Sequence, residues 1–276
     1  MNSQYTVEKI TSRHNAWYKE LREWSQSTGV EKDKKLVWLE GDHLCEAARS
    51  KGLDFQTLIF RDDCPSEMIN NWSAQAVKLV QIPSTLMDGL SSLHSPPLMA
   101  AVISLPLPSL FNPQMSTVVL DQMQDPGNAG SILRSAAAFG FKQMVTTPNT
   151  VGLWTHKVVR AAMGAHFDLA IVEGVTIEHI QATSLPIVLT SSHHGNFLDE
   201  LLASHQLPSP LAWIFGHEGR GHSAQWSESI FQAVRIRQPG GQESLNVAAA
   251  AAICLHASSI QAIKTESIRN ELGSRL

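Results

Sequence analysis

Short runs of β-branched and aromatic residues alternate with helix-patterned stretches along nearly the whole chain, and this alternation limits the fold more than any other feature. Strands that return in the same direction need a crossover, usually a helix, so the rhythm predicts an α/β protein whose parallel sheets are covered by helices. In the first part, strands are expected at residues 36–39, 57–60, 77–82 and 100–105, with helices after Ser12, around residues 43–50, after Pro65 and after Ser84. Residues 106–114, PLPSLFNPQ, hold three prolines in nine positions and have no periodicity, which reads as a linker. Beyond it, strands are expected at 117–120, 143–147, 169–172, 187–190, 211–215 and 233–236, with helices at 131–139, 156–163, 177–182, 198–203 and 247–260. The division is therefore a smaller α/β domain over 1–105, a linker over 106–114 and a larger α/β domain over 115–276.

Apolar residues make up 43% of the 276 and charged residues 17%, enough apolar surface for a sizeable core. Cys45, Cys64 and Cys254 are odd in number and lack CxxC spacing, so neither a disulfide framework nor a zinc site is expected, and a reducing cytoplasm fits. The first fifteen residues mix charges and lack the apolar centre of a secretion signal. The apolar runs at 98–105 and 247–257 are too short or too proline-interrupted to cross a bilayer, so a soluble protein with no membrane partner is expected.

Three loops carry the chemical signal. The first, DQMQDPGNAGSILRSAAAFG at 121–140, runs from an apolar strand through a Pro-Gly-Asn turn into a helix, a geometry that aims backbone N–H groups at an anion. It lacks both the GKS/GKT of a P-loop and the GxGxxG of a dinucleotide site. Taken alone, Asn128 is equally readable as a helix cap and Arg134 as a surface arginine. The second, IFGHEGRGH at 214–222, follows a strand with three glycines in six residues and permits close backbone approach to a ligand. His217, Glu218 and His222 do not form HExxH, and glycines break any helix there, so no metal is expected. The third, IRQPGGQESLNVAAAAA at 236–252, turns through Pro-Gly-Gly into a helix of small side chains against which something must pack closely. Ser244 or Asn246 suits its N-cap.

Together the loops resemble the three motifs of the SpoU/TrmH family of RNA ribose 2′-O-methyltransferases, in the SPOUT superfamily. The matching patterns are D-P-G-N-x-G-x-x-x-R at 125–134, G-x-E-G-x-G at 216–221 and I-x-x-x-G-G-x-E-S-L-N-V at 236–247. More loosely, ITSRHNAWYKELREW, LVWLEGDHLCEAARSKG and TLIF in the first domain resemble the family's L30e-like substrate-binding module. The resemblance implies a trefoil-knotted catalytic domain, S-adenosylmethionine as cofactor and a structured RNA, rRNA or tRNA, as substrate. It also implies a homodimer formed through the knotted domain.

Carried over by motif position, cofactor contacts fall at Gly216, Ile236 and Leu245, and the catalytic group at Arg134 with Asn128, Glu218, Ser244 and Asn246. Arginine is a permanent cation, so Arg134 is expected to bind a neighbouring phosphate or stabilise a developing alkoxide. Asn128 and Glu218 are expected to orient Arg134 or the loops around it, and Ser244 and Asn246 to fix the ribose and the third loop. The chain departs from the family where Ile236-Arg237-Gln238 replaces Ile-Pro-Met, where His217 replaces Ser or Asn, where Ala162 replaces a serine, and where Pro96-Pro97-Leu98 replaces Pro-Gln-Gly. An alternative follows from these departures: a knotted RNA-binding or ribosome-assembly protein without catalysis.

The net charge of −4 gives no bulk attraction to RNA, but charge is distributed unevenly. Residues 126–167 hold Arg134, Lys142, Lys157 and Arg160 and no acid. Near the N-terminus, Lys9, Arg13, Lys19, Arg22, Lys32, Lys34 and Lys35 outnumber the acids. Weak non-specific binding, with recognition leaning on RNA shape, is expected.

Overall fold

A computed structural model describes residues 6–26, 35–91, 93–226, 231–241 and 244–273, with backbone alone over 265–273. The chain folds as two compact units. The first contains the residues up to Leu107 together with Gly152–Phe167, and the second contains Pro108–Val151 and the chain from Asp168 onward. The linear division at 106–114 is thus modified by one excursion, in which sixteen residues from the middle of the second stretch join the first unit.

The first unit begins with β1 (Val7–Lys9), α1 (Ala16–Gln26), β2 (Leu36–Glu40) and α2 (Asp42–Ser50). It continues with β3 (Phe55–Arg61), α3 (Ser66–Trp72), β4 (Ala76–Ile82), α4 (Ser84–Asp88) and β5 (Met99–Ser104). Among the described residues its sheet runs β1-β4-β3-β5-β2. β1, β4 and β3 are parallel, but β5 runs antiparallel to both β3 and β2, so this sheet is mixed where the rhythm predicted a parallel one. The five-residue α4 and a Ser/Pro-rich connection lead from β4 to β5, which lies antiparallel between β3 and β2. Asn15, not Ser12, caps α1, its side-chain oxygen accepting from the Tyr18 N–H at 3.1 Å. Tyr18, Leu21, Trp38, Ile59, Val80, Ile82 and Met87 form the core, and the Tyr18 hydroxyl donates to the Leu86 carbonyl at 2.8 Å.

In the second stretch β6 (Thr117–Leu120) leads into α5 (Pro126–Ala138) and β7 (Gln143–Thr146). The helix starts five residues before its expected first turn because Asp125 caps it, accepting from the Asn128 N–H at 2.7 Å, with Pro126 at its first position. Next, α6 (His156–Ala162) belongs to the first unit. Its His156 Nε2 lies 2.8 Å from Glu40 Oε2 at the end of β2, and the Ser91 hydroxyl donates to the other oxygen of the same carboxylate. Both side chains of the pair are nearly inaccessible, at 6% and 1%. Gly164, at φ +89°, sits where a Cβ would come within 2.6 Å of Ala47, so α6 ends against α2 only with glycine there.

The chain then forms β8 (Ala170–Val172), α7 (Ile177–Gln181), β9 (Ile187–Thr190), β10 (Asn196–Phe197) and α8 (Leu198–Ala203). It ends with β11 (Ala212–Phe215), β12 (Phe231–Arg235) and α9 (Val247–Gly273). Among the described residues the second sheet is ordered β10-β12-β9-β11-β6-β7-β8, and every pairing in it is parallel. One face buries Val119, Val145, Ile187, Leu189, Ala212 and Ile214 with Ile177, Ile180 and Trp226.

Helix α9 extends well past the expected residue 260. Its window Val247–Lys264 is long and apolar enough, by length and composition alone, to cross a membrane, a test that the core helix of a soluble protein also passes. Within the second unit Ala251, Cys254 and Leu255 are buried, Ser258 accepts from the Trp213 indole at 2.9 Å and His256 meets the Phe139 ring edge-on. Desolvation pushes the buried Cys254 thiol up to about 12, which keeps it protonated and unreactive.

Burial alone would raise the Glu40 carboxyl, but the hydrogen bonds from His156 and Ser91 outweigh it and hold the group below its ordinary value. A depressed folded-state carboxyl contributes stability above the unfolded value, near 4.3, and loses it as pH falls through the lower folded value. His156→Ala leaves the carboxylate buried with one partner fewer and is expected to cost about 3 kcal/mol in urea unfolding at pH 7, the loss shrinking below pH 4. An unchanged midpoint would show that the pair does not hold α6.

Candidate functional site

Parallel pairing throughout the second sheet places the carboxyl ends of all its strands on one edge. The local order β12-β9-β11-β6 therefore sets four strand-end loops side by side, though they are far apart in sequence. Ligands of open α/β sheets bind at this edge, where chain connections diverge to either side.

The first loop closes on the second through Glu218. Its carboxylate accepts from the Asp125 N–H at 3.2 Å, the Asn128 side-chain amide at 3.1 Å and, at 3.5 Å, the Gln124 N–H. Desolvation works to raise this carboxyl, but these bonds and the one from its own backbone lower it on balance, so it stays ionised at neutral pH. Asn128 reaches the third loop with its other end, accepting from the Asn246 amide at 3.0 Å. Asn246 in turn caps α9, accepting from the Ala248 and Ala249 N–H groups at 2.9 and 3.3 Å. One amide thus bridges the three motifs.

The second loop is a tight hairpin in which His217 and Gly221 exchange backbone hydrogen bonds at 2.7 and 2.8 Å. A Cβ on Gly216 would lie 2.3 Å from the Gly221 carbonyl carbon, so only glycine allows the hairpin to close. Asp121 anchors its far side from the end of β6. Fully buried, Asp121 accepts from the Ser223 N–H at 2.6 Å, the Trp226 indole at 2.9 Å and the Thr147 hydroxyl at 2.9 Å. Asp121 lies outside the three motif patterns, and its signal in the sequence is an acidic residue directly after an apolar strand. The fourth loop, Ser191–Gly195 after β9, also lies outside them, although its histidines and glycine follow a strand as the other three loops do.

The loops after β9, β11 and β12 line an open cavity of about 1000 Å³, and Asn128 and Arg134 are not among its lining residues. Gly216, Glu218, Ile236, Ser244, Leu245 and Asn246, all predicted from the sequence, line it. Val234, Gln238 and Ala250 add to its wall, and the Gln238 side-chain oxygen is buried without a hydrogen-bond partner among the described residues. Arg134 is exposed on α5 and makes no polar contact among the described residues, so Asn128 and Glu218 hold the loops rather than the Arg134 side chain. Ser244 is exposed. The motif residues Gln242 and Glu243, and the basic residues Lys32 and Lys34, lie outside the described residues. Among the described residues no cluster of three or more His, Cys, Asp or Glu could hold a metal ion.

Two departures from the family pattern have separate consequences. Arg237 turns to α8, bonding Asp199 at 3.2 Å and Glu200 at 2.7 Å, with its guanidinium 3.8 Å from the Phe197 ring centre. Gln238, one residue on, lines the cavity.

Residues 115–256 match the model of the SpoU rRNA Methylase family, and the chain belongs to that family. It is 29% identical over 266 residues to an uncharacterized tRNA/rRNA methyltransferase of Synechocystis, covering 91% of this chain and 93% of that protein. It is 27% identical over 258 residues to the 23S rRNA (guanosine(2553)-2′-O)-methyltransferase RlmP of Bacillus subtilis, covering 91% of this chain and 98% of RlmP. A crystal structure of an RNA 2′-O ribose methyltransferase superposes with a TM-score of 0.77 at 26% identity, covering 92% of this chain and 99% of that one. The α/β fold, with its smaller first unit and its parallel second sheet, is consistent with the trefoil-knot architecture that the motifs imply.

Asp121→Ala removes one acceptor from three donors and unties the second loop from β6. The expected outcome is a loss of about 3 kcal/mol in denaturant unfolding. Asn246→Ala, which removes the α9 cap and the bridge to Asn128, is expected to cost about 1 kcal/mol in the same measurement.

Proposed function

We propose that this protein transfers a methyl group from S-adenosylmethionine to the 2′-oxygen of a ribose in ribosomal RNA. The observation that carries the reading is the Glu218–Asn128–Asn246 bridge, which ties the first family motif to the two whose residues line the cavity. The residues present fit the cofactor. Glycine loops let main-chain groups reach it, Ile236, Leu245 and Ala250 supply apolar wall for a base, and Gln238 offers an acceptor unsatisfied among the described residues. When bound, S-adenosylmethionine supplies an electrophilic methyl group on a sulfonium.

The ribose 2′-hydroxyl must be held in line and lose its proton as its oxygen gains the methyl. Arg134 stands on α5, the helix whose first turn carries Asn128, and its guanidinium is uncommitted among the described residues. Its role in this reading is to bind the phosphate beside the target ribose and to stabilise the alkoxide character of the attacking oxygen. Glu218 and Asn128 keep the loops closed, Asn246 fixes the start of α9, and the Ser244 hydroxyl is available to the ribose. The first unit supplies RNA contacts, with Lys9, Arg13, Lys19 and Arg22 exposed on it. The non-catalytic alternative expected the departures to spoil the cofactor pocket, whereas Arg237 is taken up by Asp199 and Glu200 while the cavity stays open. A cytoplasmic homodimer, with the half-exposed Ile253 and Ile260 of α9 in its interface, completes the reading.

Incubated with labelled cofactor and ribosomal RNA from cells lacking the gene, the protein is expected to place label on a ribose 2′-oxygen, located by nucleoside mass spectrometry. Arg134→Ala is expected to reduce transfer by about a hundredfold or more, with cofactor affinity within about twofold of wild type. Transfer retained by that variant would overturn the role given to Arg134. A monomer by light scattering would overturn the dimer.

A further inference from the structure

Gln238 is the residue that the family pattern does not explain. It follows β12, lines the cavity, and carries a buried side-chain oxygen with no hydrogen-bond partner among the described residues. A buried amide carbonyl left unpaired costs free energy that a donor arriving with a ligand would recover. Resting on the reading that S-adenosylmethionine occupies this cavity, we infer that the Gln238 side chain reads the adenine base of the cofactor, its carbonyl accepting from the 6-amino group.

The cofactor brings three kinds of donor. Its α-ammonium is drawn to a carboxylate, and Glu218 provides one on the same cavity wall. Its ribose hydroxyls each donate and accept, so any polar group satisfies them and none is discriminated. The adenine edge is different: the 6-amino donor and the N7 acceptor stand side by side. A glutamine amide matches that pair with both of its ends, the pairing by which Gln and Asn select adenine in nucleic acids. Aliphatic walls suited to a flat base are present in Val234, Ile236, Leu245 and Ala250. The methionine usual at this position can pack against a base but cannot accept a hydrogen bond from nitrogen with comparable strength. This chain therefore adds side-chain selection of the base to whatever its main-chain groups contribute.

Calorimetric titration of S-adenosylhomocysteine and S-inosylhomocysteine, in which a 6-oxo group replaces the amine, tests the inference without any turnover. Wild type is expected to prefer the adenine compound, and Gln238→Met to reduce that preference by about tenfold. Because the readout is a ratio of two ligands on the same protein, a general loss of affinity in the variant does not mimic the effect. A far-ultraviolet melting curve confirms that the variant is folded. An unchanged ratio, with both compounds still bound, would overturn the role of Gln238 and leave the cofactor reading intact. Failure of wild type to bind S-adenosylhomocysteine at millimolar concentration would overturn both.

Discussion

The parallel insertion of β11 between β9 and β6 is the constraint on which the second unit depends. Thr117–Leu120 and Ala212–Phe215 are almost a hundred residues apart, yet they pair in register over four residues with their carboxyl ends together. Had either strand run the other way, the loop carrying Glu218 and the loop carrying Asn128 would emerge at opposite edges of the sheet. Everything that gives the site its shape follows from that pairing. The buried side chains of Val119 and Ile214 secure it from one face, and Trp213 with Ser258 ties the neighbouring register to α9.

On that frame, polar groups set the loops. Asp121 and Glu218 divide the work: the first, fully buried, fixes the outer part of the glycine hairpin to β6, and the second closes the inner part on the start of α5. The Asn128 amide donates through its nitrogen to one partner and accepts through its oxygen from another. It therefore connects a carboxylate that only accepts with an amide that is already capping a helix. Arg134 stands outside this network, exposed on α5.

The excursion of Gly152–Phe167 shows where reading along the chain reaches its limit. The helix at 156–162 was legible from its pattern, and the stretch from 126 to 167 holds four basic residues and no acid. Its basic residues divide between the units, Arg134 and Lys142 in the second and Lys157 and Arg160 in the first. What draws α6 to the first unit is a pair of buried polar side chains, Glu40 and His156, separated by 116 positions. No local propensity encodes a contact of that range.

By itself the sequence determined the elements and the chemistry of the loops. Strand 187–190 was read to the residue, and the glycines of 216–221, the Asp125 turn and the Asn246 start of α9 all announce local geometry that backbone sterics and capping impose. The tertiary structure alone decided the antiparallel β5, the anchoring role of Asp121 and the placing of Gln238, not Arg237, in the cavity wall. The physical reason is one of range. Caps, turns and periodicity are settled within a few residues, whereas strand order, a buried carboxylate's partners and the direction a strand-end side chain takes depend on what distant segments bring to it.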